Sequence, residues 1–448
     1  MDHVPALAAA EAPGPRRSLI LAGGGMRVAY QAGVLRALEE EGMRFVHGDG
    51  TSGGTINLAM LLSGIAPAEM CERWRTLRVR DFASLLPFRR YLRGPKLIAF
   101  GDADGIVERV FPHLGVDVER IHDARGIEGT FNVCNYTDKT NLAIPHTEID
   151  LDLLVAGISL PIFMPPVERD GSLYVDSVWI KDANPGEGVR RGCDELWLVW
   201  CIGNSGVYRR GTLNQYVHMI ELSANGCLFE ELDHLRRETS GPLPRLHVIK
   251  PEYPLPLDPD FYFGRVDAHA LVAMGYRDAK GYLARRTEDG VPWDPSATRM
   301  RDPRLGVAFT KRLRGSVSNA PLEVRLRVDV RDVDRFAEER TGELVGVVDH
   351  EPLGRGLLAR SGTFRLEGRR SVYELALEHE GRALRLVVRG ERGELYEDGS
   401  SAPAGSGKLG LGFGGFWRYL VSLQGTGSDS LRARLGAVLR FARILRRR

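Results

Sequence analysis

Residues Gly50-Thr51-Ser52-Gly53-Gly54 set a serine two positions from a glycine on either side, after the short apolar run Phe45-Val46 and before the helix-like run Ile56 to Leu62. The spacing fits a Gly-x-Ser-x-Gly nucleophile elbow. A serine presented at the tip of a sheet must sit on a strained strand-to-helix turn, where side chains two residues away would collide. Glycine removes those collisions. Gly53 also leaves the N–H after the serine uncrowded at a helix N-terminus, where the dipole favours developing negative charge.

A second glycine cluster lies upstream. The apolar run Leu19-Ile20-Leu21 leads into Ala22-Gly23-Gly24-Gly25-Met26-Arg27, and a helical pattern follows with Tyr30, Val34 and Leu38 on one face. This again reads as strand, glycine turn, helix. Consecutive glycines at a helix start turn several backbone N–H groups toward one point, as an oxyanion or a phosphate requires. A dinucleotide fingerprint fits poorly, because the register Gly23, Gly25, Val28 puts a β-branched residue where the third small residue should allow close helix packing.

Together, Gly23-Gly24-Gly25-Met26-Arg27 and Gly50-Thr51-Ser52-Gly53-Gly54 resemble the patatin-like phospholipase family. That family adds a downstream aspartate motif. Here Leu173-Tyr174-Val175-Asp176-Ser177-Val178, with Asp182-Ala183-Asn184-Pro185 after it and the Pro-rich approach Ala156 to Pro166 before it, is similar to its surroundings. The resemblance runs from about Arg17 to Arg285, where Gly275-Tyr276-Arg277-Asp278-Ala279 resembles the family's closing helix. It implies a three-layer α/β fold and a serine lipid acyl hydrolase of phospholipase or esterase type without metal or cofactor. It further implies a Ser52–Asp176 dyad and an oxyanion loop drawn from Gly23, Gly24, Gly25, Arg27 and Gly53. The chain departs from the family at Ser177-Val178, where two small residues usually follow the aspartate, and at Val28, where glycine is usual. An acyltransferase on the same site, or an inactive lipid-binding descendant, stays open as an alternative.

The coarse pattern agrees with such a fold. Thr130 to Tyr136, Leu196 to Ile202 and Arg245 to Lys250 read as strands, while Leu213 to Arg236 and Val266 to Leu283 have helical spacing. Strands and helices alternating at these distances predict a mostly parallel sheet covered on both faces. The site then lies at the carboxyl ends of the strands.

With 448 residues, of which 43% are hydrophobic, the chain is long enough for two domains. A net charge of +2 and the lack of a basic, aromatic-interleaved run give no sign of nucleic-acid binding. Cys71, Cys134, Cys193, Cys201 and Cys227 have no C-x-x-C spacing and read as reduced core thiols of a cytosolic protein. No window of about 18 apolar residues suggests a membrane span. Residues 1–16 read as a disordered lead-in, 17–287 as the catalytic domain, 288–304 as a linker and 305–448 as a second domain.

Other features carry weaker readings. His47 would lie on the strand before the elbow and reads as structural, and His113, His146 and His218 have no spacing that identifies a role. Asp102-Ala103-Asp104-Gly105 lacks the remaining ligands of a calcium loop, and Asp104 reads as a helix N-cap. From Trp74 to Phe111, residues such as Phe82, Leu86, Phe88, Tyr91 and Leu92 mix with Arg78, Arg80, Arg89, Arg90 and Arg93, a pattern that suits either a lid meeting lipid or a segment packed on the sheet.

Beyond residue 304 the texture becomes β. Leu322 to Val330 alternates strictly, and Val372 to Leu377 and Ala383 to Arg389 repeat the pattern, which predicts a smaller antiparallel barrel or sandwich. The run Gly306 to Gly315 and the part after it weakly resemble a β domain attached to sterol-related flavin oxidoreductases, a resemblance that implies lipid association and not flavin binding. Finally, residues 429–448 hold seven arginines against one aspartate, with Leu431, Leu435, Val438, Leu439, Ala442 and Leu445 read as one apolar face. The tail suits either docking on the β domain or peripheral contact with an anionic membrane.

Overall fold

The computed structural model describes residues 2–9, 14–77, 84–85, 99, 101–256, 267–397 and 399–446. Two compact units divide the chain: residues 1–204, 212–258 and 282–300 form the first, and 205–211, 259–281 and 301–448 the second.

In the first unit, strands β1 (Arg17–Leu21), β2 (His47–Thr51), β5 (Glu128–Asn135), β9 (Glu195–Val199) and β10 (Arg245–Ile249) pair in parallel in the order β10-β9-β1-β2-β5. Three strands join antiparallel on the β5 side: β6 (Thr140–Pro145), β7 (Val167–Arg169) and β8 (Ser172–Asp176). The short pair β3 (Ser84–Leu85) and β4 (Gly101–Asp102) stands apart from this sheet.

Register sorts the side chains into two faces. Ile20, Asp49, Thr130, Leu198 and Val248 are mutual partners on one face. There Ile20, Leu198 and Val248 pack with Ala224, Leu228 and Leu232 of the helix Thr212–Glu238. Leu21 and Gly50 share the opposite face, where helix α2 (Gly53–Leu62) lies so close that a Cβ on Gly54 would stand 2.0 Å from the Leu21 carbonyl oxygen. Every residue of α2 is buried. The two helices thus cover opposite faces, and the fold is the mixed α/β sheet that the alternation of elements predicted.

Strand β2 has no apolar side chain, although it lies at the centre of the sheet. On one face it offers only glycine to α2. On the other it starts a buried polar ladder, in which the Ser18 hydroxyl meets His47 Nδ1 at 2.8 Å and His47 Nε2 meets the Thr130 hydroxyl at 3.0 Å. Thr130 donates to Asp49 Oδ2 at 2.6 Å, and Asn132 Nδ2 to Asp49 Oδ1 at 2.8 Å. Asn141 and Asn184 then both donate to Asn132 Oδ1. Each buried polar atom of the ladder is offset by a partner, which makes a polar interior tolerable. Burial pushes His47 down to about 3, so it is a neutral structural histidine.

Two boundary expectations are corrected. The lead-in is not loose over residues 2–9: Leu7 is fully buried, and Ala8 and His3 bridge to Phe45 and Ala124. Residues 288–304 are not simply a linker either, since Ala297 and Met300 are buried in the core of the first unit. The helix near Asp104 begins with that residue, so Asp104 is not its N-cap. Most of the candidate lid, including Arg78, Arg80, Phe82 and residues 86–98, lies outside the described residues.

The second unit is a closed antiparallel barrel. Strands β11 (Gly306–Val317), β12 (Ala320–Val330), β13 (Thr341–His350), β15 (Ser361–Glu367), β16 (Arg370–His379), β17 (Arg382–Arg389), β18 (Arg392–Glu397) and β19 (Gly405–Gly410) form the ring, completed by the β12–β13 and β11–β19 pairings. The strand β14 (Gly354–Leu358) adds to β13, and β20 (Gln424–Thr426) to β11. Alternation on β12 works as the sequence suggests: Leu322, Val324, Leu326, Val328 and Val330 enter the core, while Glu323 and Arg325 stay outside and pair with each other.

The C-terminal helix Leu431–Arg446 buries Ala437, Phe441 and Ile444 in this core. The apolar face expected from the sequence is therefore misplaced, because Leu431, Leu435 and Leu439 are exposed.

Asp49 gives the first unit a pH dependence. Desolvation outweighs the hydrogen bonds from Thr130 and Asn132 and raises its carboxyl from 3.8 to about 7. Over that window the folded protein holds a proton that the unfolded chain has released, so stability falls as pH rises. Asp49→Asn keeps the shape of the side chain but removes the proton uptake. Thermal unfolding across this range is expected to show a shallower decline for the variant, and an unchanged slope would mean that Asp49 is already ionised in the fold.

Candidate active site

Ser52 follows β2 and precedes α2 with φ 52° and ψ −128°, a left-handed conformation that a non-glycine residue adopts only when its surroundings impose it. The flanking glycines explain how it is held. A Cβ on Gly50 would crowd the Gly54 carbonyl and Leu58 at 3.1 Å, and one on Gly53 would lie 2.6 Å from Val28 Cγ1. Val28, the departure from the family pattern, thus fills the space that Gly53 leaves open.

The register of β5 brings Asp176 to the serine. Thr51, the last residue of β2, pairs with Asn132, and the next residue of β5, Val133, pairs with Asp176 at the end of β8. One step past β2 in the chain is Ser52, and one step past Asn132 is the partner of Asp176. The Asp176 carboxyl is buried, with Oδ1 accepting the Val178 N–H at 2.8 Å and Oδ2 buried without a settled hydrogen bond. Ser177-Val178 therefore still aims the carboxylate through a backbone amide. Desolvation pushes Asp176 up to about 7, against the stabilising pull of the Ser52 hydroxyl and the Val178 N–H.

The predicted glycine loop is adjacent. Ideal Cβ atoms on Gly23 would lie 2.9 Å from Ser52 Cβ, and on Gly24 2.9 Å from Cys201 Cβ, so no side chain fits at either position. Gly25 adopts φ 57° and opens a short 3-10 turn through Val28. Among the described residues, the N–H groups of Gly24, Gly25 and Gly53 have no hydrogen-bond acceptor.

Gly23 is different, and its expected place among the oxyanion donors is corrected. Its N–H is taken by Asp182, through the carbonyl oxygen at 3.3 Å and through Oδ1 at 3.2 Å. Arg27 is also turned away from a donor role at its Nε, which bonds the Gly24 carbonyl at 3.0 Å from a buried position. Both residues shape the loop from behind.

Several residues here escaped the sequence reading. Asp182 fastens the glycine loop; burial, then the nearby Asp176, raises its carboxyl well above the usual range. A buried chain runs from Trp74 Nε1 to Asn57 Oδ1 at 2.8 Å, from Asn57 Nδ2 to Gln31 Oε1 at 2.8 Å, and from Gln31 Nε2 to the Ala22 carbonyl at 2.6 Å. It ties α2 to the loop. An aromatic rim adjoins Asp176: Tyr216 donates to the Pro161 carbonyl at 2.8 Å and meets Phe163 and Trp179 edge-on at 5.4 and 5.8 Å. Burial, then the charge of Asp176, pushes the Tyr216 hydroxyl up to about 12. Ile162 and Phe163 on this rim are 51% and 41% exposed, and Ile162 has φ 79°, rare for a β-branched residue. Only the Pro-rich composition of that approach hinted at the rim.

The other histidines have partners elsewhere: His113 with the Arg73 carbonyl, His146 with the Gly129 N–H and His218 with Glu221. Among the described residues, no three His, Cys, Asp or Glu side chains gather as a metal site would require.

No curated protein matches the chain. The crystal structure of VipD from Legionella pneumophila aligns with a TM-score of 0.31 and 12% identity, covering 63% of this chain and 70% of that one. Residues 19–187, which contain both glycine turns, Ser52, Asp176 and Asp182, match the family described as patatin-like phospholipase.

Proposed function

We propose that the protein is a serine lipid acyl hydrolase in which Ser52 is the nucleophile and Asp176 its base. The observation that carries this reading is the pairing of a strained serine with a buried aspartate whose affinity for a proton is raised to about 7. A carboxylate of ordinary acidity is a weak base toward a hydroxyl, and desolvation narrows that gap.

In the proposed reaction Ser52 Oγ attacks the ester carbonyl carbon while its proton passes to Asp176. The carbonyl oxygen, now negative, is received by the N–H groups of Gly24, Gly25 and Gly53, with the α2 dipole behind them. Collapse breaks the bond to the alcohol, which leaves with the proton from Asp176. Water then repeats the sequence on the acyl-enzyme, giving up a proton to Asp176 and releasing a carboxylic acid and the free serine.

The aromatic rim of Phe163, Trp179 and Tyr216 suits the acyl part of a lipid ester. Contact with a lipid surface through residues 74–111 and 429–448 belongs to the same proposal. A cytoplasmic location, peripheral to membranes, is supported by five unpaired cysteines, four of them buried. No helix among the described residues is long and apolar enough to cross a membrane.

Hydrolysis of p-nitrophenyl acyl esters and phospholipid vesicles tests the reading. Ser52→Ala and Asp176→Asn, verified as folded, are each expected to lower kcat/KM by ~10³-fold or more, and a fluorophosphonate should label Ser52 alone. Activity that survives Ser52→Ala would discard the mechanism. A folded wild type inert on every ester would favour a lipid-binding descendant.

Because Asp176 must be ionised to take the proton, kcat/KM should rise with pH and level off above about 7. A profile already flat well below that point would remove Asp176 as the base.

A further inference from the structure

The helix Gly412–Ser422 was not singled out by the sequence, and its placement on the barrel is unusual. Only Gly415, Tyr419 and Ser422 turn inward: Tyr419 meets Phe309 edge-on at 5.4 Å, and the Ser422 hydroxyl accepts the Thr310 N–H at 2.9 Å. The face left outside is apolar, with Phe413, Phe416, Trp417, Leu420 and Val421 exposed at 81, 47, 54, 41 and 58%. A helix ordinarily buries such a stripe and wets the other.

The surroundings indicate what covers it. From Gly405 to Ser428 there is no acidic residue. Arg418, beside Trp417 and exposed, lines a recess of about 120 Å³ together with Asp267, His269, Thr310 and the two arginines Arg312 and Arg325, which pair with Glu323. Phe309 also touches Phe441 of the C-terminal helix at 5.8 Å, so both helices are anchored on one barrel residue. That second helix exposes Leu431, Leu435 and Leu439 and has no acidic residue, while Arg432, Arg443 and Arg446 are exposed along it. Exposed aromatic rings, a short helix and surplus positive charge match the requirements of an interfacial element. A charge-neutral protein partner would give the arginines no counterpart.

We infer that the helix Gly412–Ser422 is a membrane wedge: Phe413, Phe416 and Trp417 enter the interfacial region of an anionic bilayer, and the surrounding cations meet its headgroups. This rests on the lipid-surface part of the function proposed above and names the element that makes the contact. It does not need the serine to react.

The test is co-sedimentation of the full chain, carried out with Ser52→Ala so that binding is read without hydrolysis. The vesicles are phosphatidylcholine alone or phosphatidylcholine doped with phosphatidylglycerol. Binding is expected on the anionic vesicles and weakened by salt. The combined Phe413→Ser, Phe416→Ser, Trp417→Ser protein should lose ~10-fold or more in apparent affinity, since three rings no longer leave water. These side chains are exposed, so its unfolding curve should match the parent. With Ser52 intact, the same triple variant should keep hydrolysis of a soluble short-chain ester, which separates failure of the wedge from failure of the active site. Equal binding by parent and triple variant, or no binding by the parent, would overturn the inference. A parent that is dimeric by light scattering and becomes monomeric in the triple variant, without vesicle binding, would assign the face to a second copy of the chain and overturn it too.

Discussion

The candidate active site depends on β5 outrunning β2. Residues 128–132 of β5 pair with β2, whereas 133–135 pair with β8, which enters the sheet just past the end of β2. An antiparallel strand inserted there ends where the parallel strand ends. A serine and an aspartate far apart in sequence thereby meet at adjacent positions of one hydrogen-bonded lattice, with no dependence on a flexible loop. Strand registry is discrete, and a slip by one residue would turn Asp176 to the opposite face of the sheet.

The buried groups around that junction work as one system. Asp176 keeps one oxygen on a backbone amide. Asp182 keeps the glycine loop closed from behind, and Arg27 bonds the same loop at the Gly24 carbonyl. Two buried carboxyls this close disfavour each other's ionisation, and Arg27 offsets part of that cost at Asp182. Beneath them the ladder from Ser18 to Asn132 fills a face of the sheet that aliphatic side chains would otherwise occupy. Such networks hold position well when every member is paired.

How much of this the sequence discloses depends on which physical signal is involved. The two glycine turns were legible because sterics leave few residues able to make them, and the helices Thr212–Glu238 and Ala268–Arg285 because their apolar spacing is regular. Strand β2 was nearly invisible, since His47-Gly48-Asp49-Gly50-Thr51 has neither alternation nor apolar content and is fixed by glycine packing and hydrogen bonds from other strands. The commitment of the Gly23 N–H to Asp182 was likewise unreadable, because it joins residues 159 positions apart. The C-terminal helix misled for another reason. A stripe of leucines marks amphipathicity, but the barrel core takes up Ala437, Phe441 and Ile444 and leaves Leu431, Leu435 and Leu439 outside.

Closure of the barrel also has a kinetic side. Its seam joins Arg314 and Gly315 of β11 to Gly410 and Leu409 of β19, so the first strand of the ring waits for the last. Local hairpins such as β11–β12 and β16–β17 can form early, but the ring gains its final stabilisation only after a long loop has been closed. During synthesis the chain up to β18 would therefore expose two unsatisfied strand edges, and the helix bearing Phe413 and Trp417 emerges only after that interval. That apolar surface thus leaves the ribosome after β19, the strand that closes the ring.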